Sequence, residues 1–275
     1  MRFLKLILKI SLLLIFPLAI QVAMVSIFAI LGVGDTFVES NLLFLLLISN
    51  AMTCIVLFAM TKVMRRSIRE DYRLFSVTYK QLSLAIGIGF SAMFVSLGIS
   101  GFFKLQSLDP EAAQSLESLV NAPLWLSLLA VGIIAPIGEE LLFRGALLRL
   151  LRINLPTAWA VVLQGLLFGI YHMNLVQAPP TAVLGIILGV VVMLTHSIWP
   201  AIAIHIVNNT LAILLSQIEP ESLEGTTMPP EPSPLYFLIV GSMALFFVLI
   251  MLKQLKNQQS IDPILKNHNP LNASE

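Results

Sequence analysis

Apolar residues fill this chain in long blocks broken by short polar punctuation. The blocks run Leu6–Leu31, Asn41–Met64, Leu82–Phe103, Pro123–Phe143, Thr157–Tyr171, Thr181–Thr195, Ala201–Ser216 and Leu235–Leu252. A bilayer span takes about 20 mostly apolar residues. Backbone groups in hydrocarbon must pair internally, and no period-two alternation of a membrane β-barrel runs through the blocks, so each is expected to be a helix. The fifth, sixth and seventh blocks are short and closely joined. The pattern therefore predicts an all-α, polytopic membrane fold with about eight transmembrane helices. The first block is expected to stay as a span rather than leave as a signal peptide: it is long, and no small-x-small cleavage site follows it.

Composition supports this. Of the 275 residues 57% are hydrophobic and 11% charged, against about 25% charged in soluble domains. The blocks recur from end to end with no soluble stretch between them, which predicts one membrane domain over 1–256. Residues 257–275 are polar and are expected to form a disordered tail. Ser107–Asn121 is mildly amphipathic and reads as a surface helix. Glu219–Pro234 is acidic and proline-rich and reads as an irregular loop.

The placement of charge carries the topology. With the N-terminus in the cytoplasm, the inner segments hold Arg2, Lys5, Lys9, Lys62, Arg65, Arg66, Arg69, Arg73, Lys80, Arg144, Arg149, Arg152, Lys253, Lys256 and Lys266, and the outer ones only Lys104. Asp35, Glu39, Asp109, Glu111, Glu117, Glu219, Glu221, Glu224 and Glu231 fall outside. The positive-inside rule then places both termini in the cytoplasm after an even number of spans. The basic residues flank membrane spans, which argues against nucleic-acid binding. The single cysteine, Cys54, allows no intrachain disulfide and no cysteine-based zinc motif. No P-loop or dinucleotide fingerprint is present.

Ionisable groups inside a span are expensive and mark pathways or sites. Here they gather in three places. Glu139, Glu140 and Arg144 lie late in the fourth block. Glu140 and Arg144 are spaced i, i+4 and can pair on one helix face. Glu139 lies about 100° around the helix and has no local partner, so it is the carboxylate left for general-base work. Pro136 and Gly138 just before it are expected to loosen the helix. His172 follows directly on the fifth block. His205 and Asn209 share a face early in the seventh, whereas Asn208 does not share it. His196 sits in a short inner turn and is expected to be solvated. Gly185 and Gly189 are expected to mark close helix packing.

Glu139 and His172 each lie about 16 residues from the turn at Asn154–Thr157, or about 24 Å at 1.5 Å per residue. Equal distance from a helical turn predicts equal depth. Arg144, Arg149 and Arg152 instead suggest a hairpin tip that projects into the cytoplasm, with a shallower site.

In order and spacing, Glu139-Glu140-x-x-x-Arg144, Phe168-x-x-x-His172 and His205-x-x-x-Asn209 resemble the three motifs of the CPBP intramembrane proteases. These are the CAAX proteases and bacteriocin-processing enzymes, also called the Abi family, with the Ras-converting prenyl-protein endopeptidase as one branch. Each motif alone is weak, and the ordered set is strong. The first half of the chain matches only in being hydrophobic. The family's eight-helix fold agrees with the span count.

The resemblance implies a hydrolase that cuts a peptide bond in a membrane-associated peptide or protein. It further implies that Glu139 activates water with help from His172. His205 and Asn209 would hold the oxyanion, Glu140 and Arg144 would keep the base in place, and Phe168 would position His172. The family's metalloprotease label raises zinc as a cofactor, for which Glu139, His172 and His205 are the available ligands. No His-Glu-x-x-His motif is present, which favours a metal-independent site. A bacterial plasma membrane is the expected location. Two other classes compete: a proton-coupled transporter, and a non-catalytic binding or immunity protein. Against transport stands the lack of inverted repeats and paired broken helices.

Overall fold

The computed structural model describes residues 2–30, 41–120, 122–217 and 232–259. Among them no strand occurs. Helices are numbered here as α1 (Arg2–Ile30), α2 (Leu42–Val63), α3 (Ile68–Asp71), α4 (Tyr79–Phe102), α5 (Leu105–Leu108), α6 (Pro110–Val120), α7 (Leu124–Arg152), α8 (Thr157–Tyr171), α9 (Ala178–Thr195), α10 (Trp199–Ser216) and α11 (Pro234–Gln259). By length and composition, 7 of those described can cross a membrane, and α8 is a shorter apolar helix beside them. The chain is an all-α, multi-pass integral membrane protein with roughly eight apolar helices, as its hydrophobic blocks predict.

Several boundaries move for local reasons. α4 begins at Tyr79 rather than Leu82, because Thr78 and Gln81 form a capping box: Gln81 N–H donates to Thr78 Oγ1 at 3.2 Å and Thr78 N–H to Gln81 Oε1 at 2.9 Å. α9 begins at Ala178, since Pro179 and Pro180 are tolerated in a first turn, where no intrahelical donor is needed. α7 continues past Phe143 to Arg152. α11 runs to Gln259, so the polar stretch expected to be disordered from Asn257 begins inside a helix, and its remainder lies outside the described residues. So does the expected acidic loop, apart from residues 232–234. The expected surface helix is present as α6.

α4 forms the hub. It packs on α9, α10 and α11. Two glycine contacts let it approach closely: a Cβ on Gly98 would meet the Gly241 Cα of α11 at 2.5 Å, and one on Gly89 would meet the Ile204 carbonyl oxygen of α10 at 2.7 Å. Small residues at such crossings bring backbones together where hydrophobic burial supplies no drive between helices. Phe143, Leu147, Phe168, Leu188, Val191 and Ile204 are sealed in the core between these helices. α1 lies at the periphery with most of its side chains outward.

The two ends of the bundle differ in charge. At one end Asp71 bridges Arg66 (3.0 Å) and Arg149 (2.7 Å), while Ser197 Oγ donates to the Phe75 carbonyl at 2.7 Å and Ile198 N–H to that of Arg73 at 3.1 Å. Burial, and then the neighbouring Arg152, lowers the Arg73 guanidinium to about 10. At the other end Asp109 Oδ2 accepts from the Leu175 N–H at 3.0 Å, which fastens the segment before α6 to the α8–α9 turn.

Candidate active site

α7 is irregular where its polar residues lie. Two stretches, Leu128–Ile134 and Leu141–Leu147, follow the wider i→i+5 hydrogen-bond pattern, and a single α-helical segment, Ala135–Glu140, sits between them. Such π stretches recur at functional sites. Pro136 supplies a cause: it has no N–H to give, so the pattern cannot run through it. Ala135 N–H bonds to the Ala130 carbonyl, and the next carbonyl along, Val131, would await the hydrogen Pro136 lacks. Asn209 fills that position from α10, its Nδ2 donating to Val131 O at 3.0 Å.

Glu140 and Arg144 form the ion pair their spacing predicts. Nη1 of Arg144 lies 2.7 Å from Oε1 of Glu140, and both side chains are wholly buried. The same Oε1 accepts from His205 Nδ1 at 2.9 Å. An ionised carboxylate only accepts, so Nδ1 carries the hydrogen. Arg144 also donates through Nη2 to the Gly185 carbonyl at 3.1 Å, and its guanidinium lies 4.5 Å from the Phe168 ring centre. The pair thus binds α7 to α9, α10 and the aromatic face of α8.

Glu139 is different. Its side chain is 21% exposed, and the contact of its Oε2 with His205 Nε2 is 3.6 Å, too long for a hydrogen bond. His205 therefore stands between the two carboxylates, bonded to Glu140 and turned toward Glu139. His172 Nδ1 lies 2.9 Å from the Phe168 carbonyl oxygen. A carbonyl can only accept, so Nδ1 is the protonated nitrogen and Nε2 keeps its lone pair. The Phe168 ring stands edge-on to His172 at 5.1 Å and to His205 at 5.6 Å, and so separates the two imidazoles at a set spacing.

Asn209 spends one amide hydrogen on Val131, and its Oδ1 accepts from Asn208 Nδ2 at 3.1 Å. One amide hydrogen is left. His196 is half-buried in a left-handed turn, apart from this cluster. Gly185 lies at a backbone crossing, where an added Cβ would come within 2.8 Å of Gly165 Cα. At Gly189 it would meet Gln164 Nε2 at 2.5 Å.

Sequence reasoning missed Gln164. It is fully buried in α8 and donates to the Gly185 carbonyl at 2.7 Å, sharing that acceptor with Arg144. A lone amide in an apolar span was the signal. Asn50 of α2 was also missed; its Oδ1 is the atom a Cβ on Gly138 would meet, at 2.8 Å.

Zinc needs three or four ligands drawn to about 2.0–2.3 Å. Among the described residues no three of His, Cys, Asp or Glu are gathered closely enough to hold a metal ion. Glu139, His172 and His205 do not fit zinc as placed.

Residues 121–211 match the family model described as type II CAAX prenyl endopeptidase Rce1-like. No curated protein and no solved structure matches the chain. The chain is thus similar to the Rce1-like type II CAAX prenyl endopeptidases across α7 to α10, the four helices that hold the polar cluster, a match consistent with the CPBP family of membrane proteases.

Proposed function

We propose that this chain is an intramembrane endopeptidase that hydrolyses a peptide bond in a membrane-associated peptide or protein, with Glu139 as the general base. The observation that carries the reading is the division of labour between adjacent carboxylates. Glu140 is buried and bonded to both Arg144 and His205, while Glu139 is partly exposed and has no short partner. Only Glu139 can take a proton without first breaking a buried ion pair.

In the proposed reaction Glu139 removes a proton from water while the water oxygen bonds to the scissile carbonyl carbon. His172 Nε2 helps to orient that water. The carbonyl oxygen becomes an oxyanion held by the remaining amide hydrogen of Asn209 and by His205, which acts there as an imidazolium, Nδ1–H on Glu140 and Nε2–H on the oxyanion. The tetrahedral intermediate collapses, the carbon–nitrogen bond breaks, and Glu139 returns the proton to the leaving amine. Glu140 and Arg144 position this machinery. Protein groups alone run the sequence. Both chain termini and the basic end of the bundle face the cytoplasm, in a bacterial plasma membrane.

The test is cleavage of fluorogenic peptides, prenylated and plain, by purified protein. Wild-type cleavage that drops by about 10²–10⁴ in Glu139→Gln and survives a chelator is the expected result. Activity lost to chelator and restored by zinc would place a metal in the reaction. Unchanged cleavage in Glu139→Gln would remove Glu139 as the base.

A further inference from the structure

His172 lines an open cleft of about 440 Å³. Its walls are α6 and the turn that leads from His172 into α9, and its rim carries Asp109, Glu111, Ser115, Asn174 and Gln177. The turn is well braced. Asn174 Nδ2 donates to the His172 carbonyl at 2.8 Å and to Gln177 Oε1 at 2.9 Å. Asp109 holds the first turn of α6 through Ala112 N–H at 3.2 Å and reaches the Leu175 N–H with its other oxygen. The ring nitrogen of His172 not bonded to Phe168 is the one left to serve this space.

The cleft is at the end of the bundle opposite the Arg66–Asp71–Arg149 bridges. A second cleft, of about 250 Å³, lies at that basic end against Lys9, Tyr72 and Arg149, and none of the polar-cluster residues lines it. Of the polar-cluster residues His172 lines the acidic-end cleft, and none lines the basic-end one. Basic loops mark the cytoplasmic face.

We infer that the site is loaded from the non-cytoplasmic face, through the cleft between α6 and the 172–177 turn, by a peptide segment emerging on the outer side of the membrane. This rests on the protease reading and sharpens its substrate class. The rim offers amide, hydroxyl and carboxylate groups, which suit a polar peptide backbone and side chains. Ala112, Leu116, Leu119 and Met173 add an apolar side to the cleft, which suits the apolar side chains of the same peptide. A cytosolic C-terminal tail would meet the wrong end of the protein.

The experiment uses the full chain with Cys54→Ala, since Cys54 is its single cysteine. Ser115→Cys reports the cleft and Glu70→Cys, an exposed site on α3, the basic end. In right-side-out bacterial vesicles a membrane-impermeant maleimide should label Ser115→Cys at once and Glu70→Cys only after permeabilisation. The reverse order would overturn the orientation. A charged, reducible thiosulfonate on Ser115→Cys should then slow cleavage of an externally added peptide by about tenfold or more, with recovery on reduction. Labelling from outside with no change in cleavage would overturn the cleft as the mouth. Should Ser115→Cys fail to fold, the exposed neighbour Glu111→Cys takes its place. Wild-type protein that cleaves nothing would remove the hydrolytic reading instead, and the labelling order would still decide which face the cleft opens to.

Discussion

Replacing Arg144 by Met should cost far more stability than replacing Glu139 by Gln, and both should lower cleavage by about 10² or more. Arg144→Met keeps side-chain length and apolar packing but removes the charge. It leaves Glu140 buried, with His205 as its remaining partner. Removing one member of a buried pair costs about 3–5 kcal/mol. The guanidinium also loses its hydrogen bond to Gly185 and its position over Phe168, a desolvated cation–π contact of about 2 kcal/mol. These terms describe one group and do not simply add. A membrane protein's unfolded state finds alternative polar partners in the bilayer, which reduces measured values. The expected loss is therefore near the lower bound, about 3 kcal/mol.

Arg144→Lys keeps the charge but cannot fork between the Glu140 carboxylate and the Gly185 carbonyl, and should fall between wild type and Met. Glu139→Gln is nearly isosteric, touches no short partner and is partly exposed; its cost should stay within about 1 kcal/mol. The assay is unfolding free energy by steric trapping in bicelles, paired with initial cleavage rates. The double variant Glu140→Gln/Arg144→Met should be less damaged than the sum of the singles by about 2–3 kcal/mol. The reasoning is refuted if Arg144→Met costs under about 1 kcal/mol, or if Glu139→Gln destabilises as much as Arg144→Met, since the clamp and the base would then not be separate groups.

Two further variants probe how the cluster is held. Gly185→Ala puts a Cβ 2.8 Å from Gly165 Cα and 3.0 Å from its carbonyl oxygen, both backbone atoms that cannot rotate away; it should cost about 1–3 kcal/mol and reduce cleavage by displacing the carbonyl that Arg144 and Gln164 share. Gly132→Ala, whose Cβ would meet Thr210 Oγ1 at 3.2 Å, should be mild in the same stability assay, and equal effects from the two would dismiss the tight α8–α9 crossing. Pro136→Ala restores an N–H that competes with Asn209 for the Val131 carbonyl; kcat should fall on the order of tenfold with KM and stability held or improved, and unchanged kcat would mean that this bond does not position Asn209.

The site was legible as far as spacing within one helix reaches. Glu140 and Arg144 announce their pairing by i, i+4, and the same reasoning set Glu139 apart as the unpaired carboxylate. The end of the fourth span was misplaced for a related reason. Arg144 reads as a membrane boundary when charge is scored singly, yet a pair that neutralises itself can sit inside, and α7 runs on to Arg152. Cross-helix partners were less legible. His205 and Asn209 share a face, but nothing in their spacing says that the imidazole spans two carboxylates or that the amide holds Val131. The second contact depends on Pro136 breaking the backbone pattern of α7. Depth arguments from the Asn154–Thr157 turn falter on the same irregularity, because counting 1.5 Å per residue assumes an unbroken α-helix and α7 has two π stretches. Gln164 shows the remaining gap. Its amide was visible as a polar residue in an apolar span, but its meaning lies in the Gly185 carbonyl. That carbonyl comes within reach only because Gly165 and Gly185 let two backbones cross with no side chain between them. In a membrane bundle, polarity marks where a site is, and the small residues beside it decide which groups can meet there.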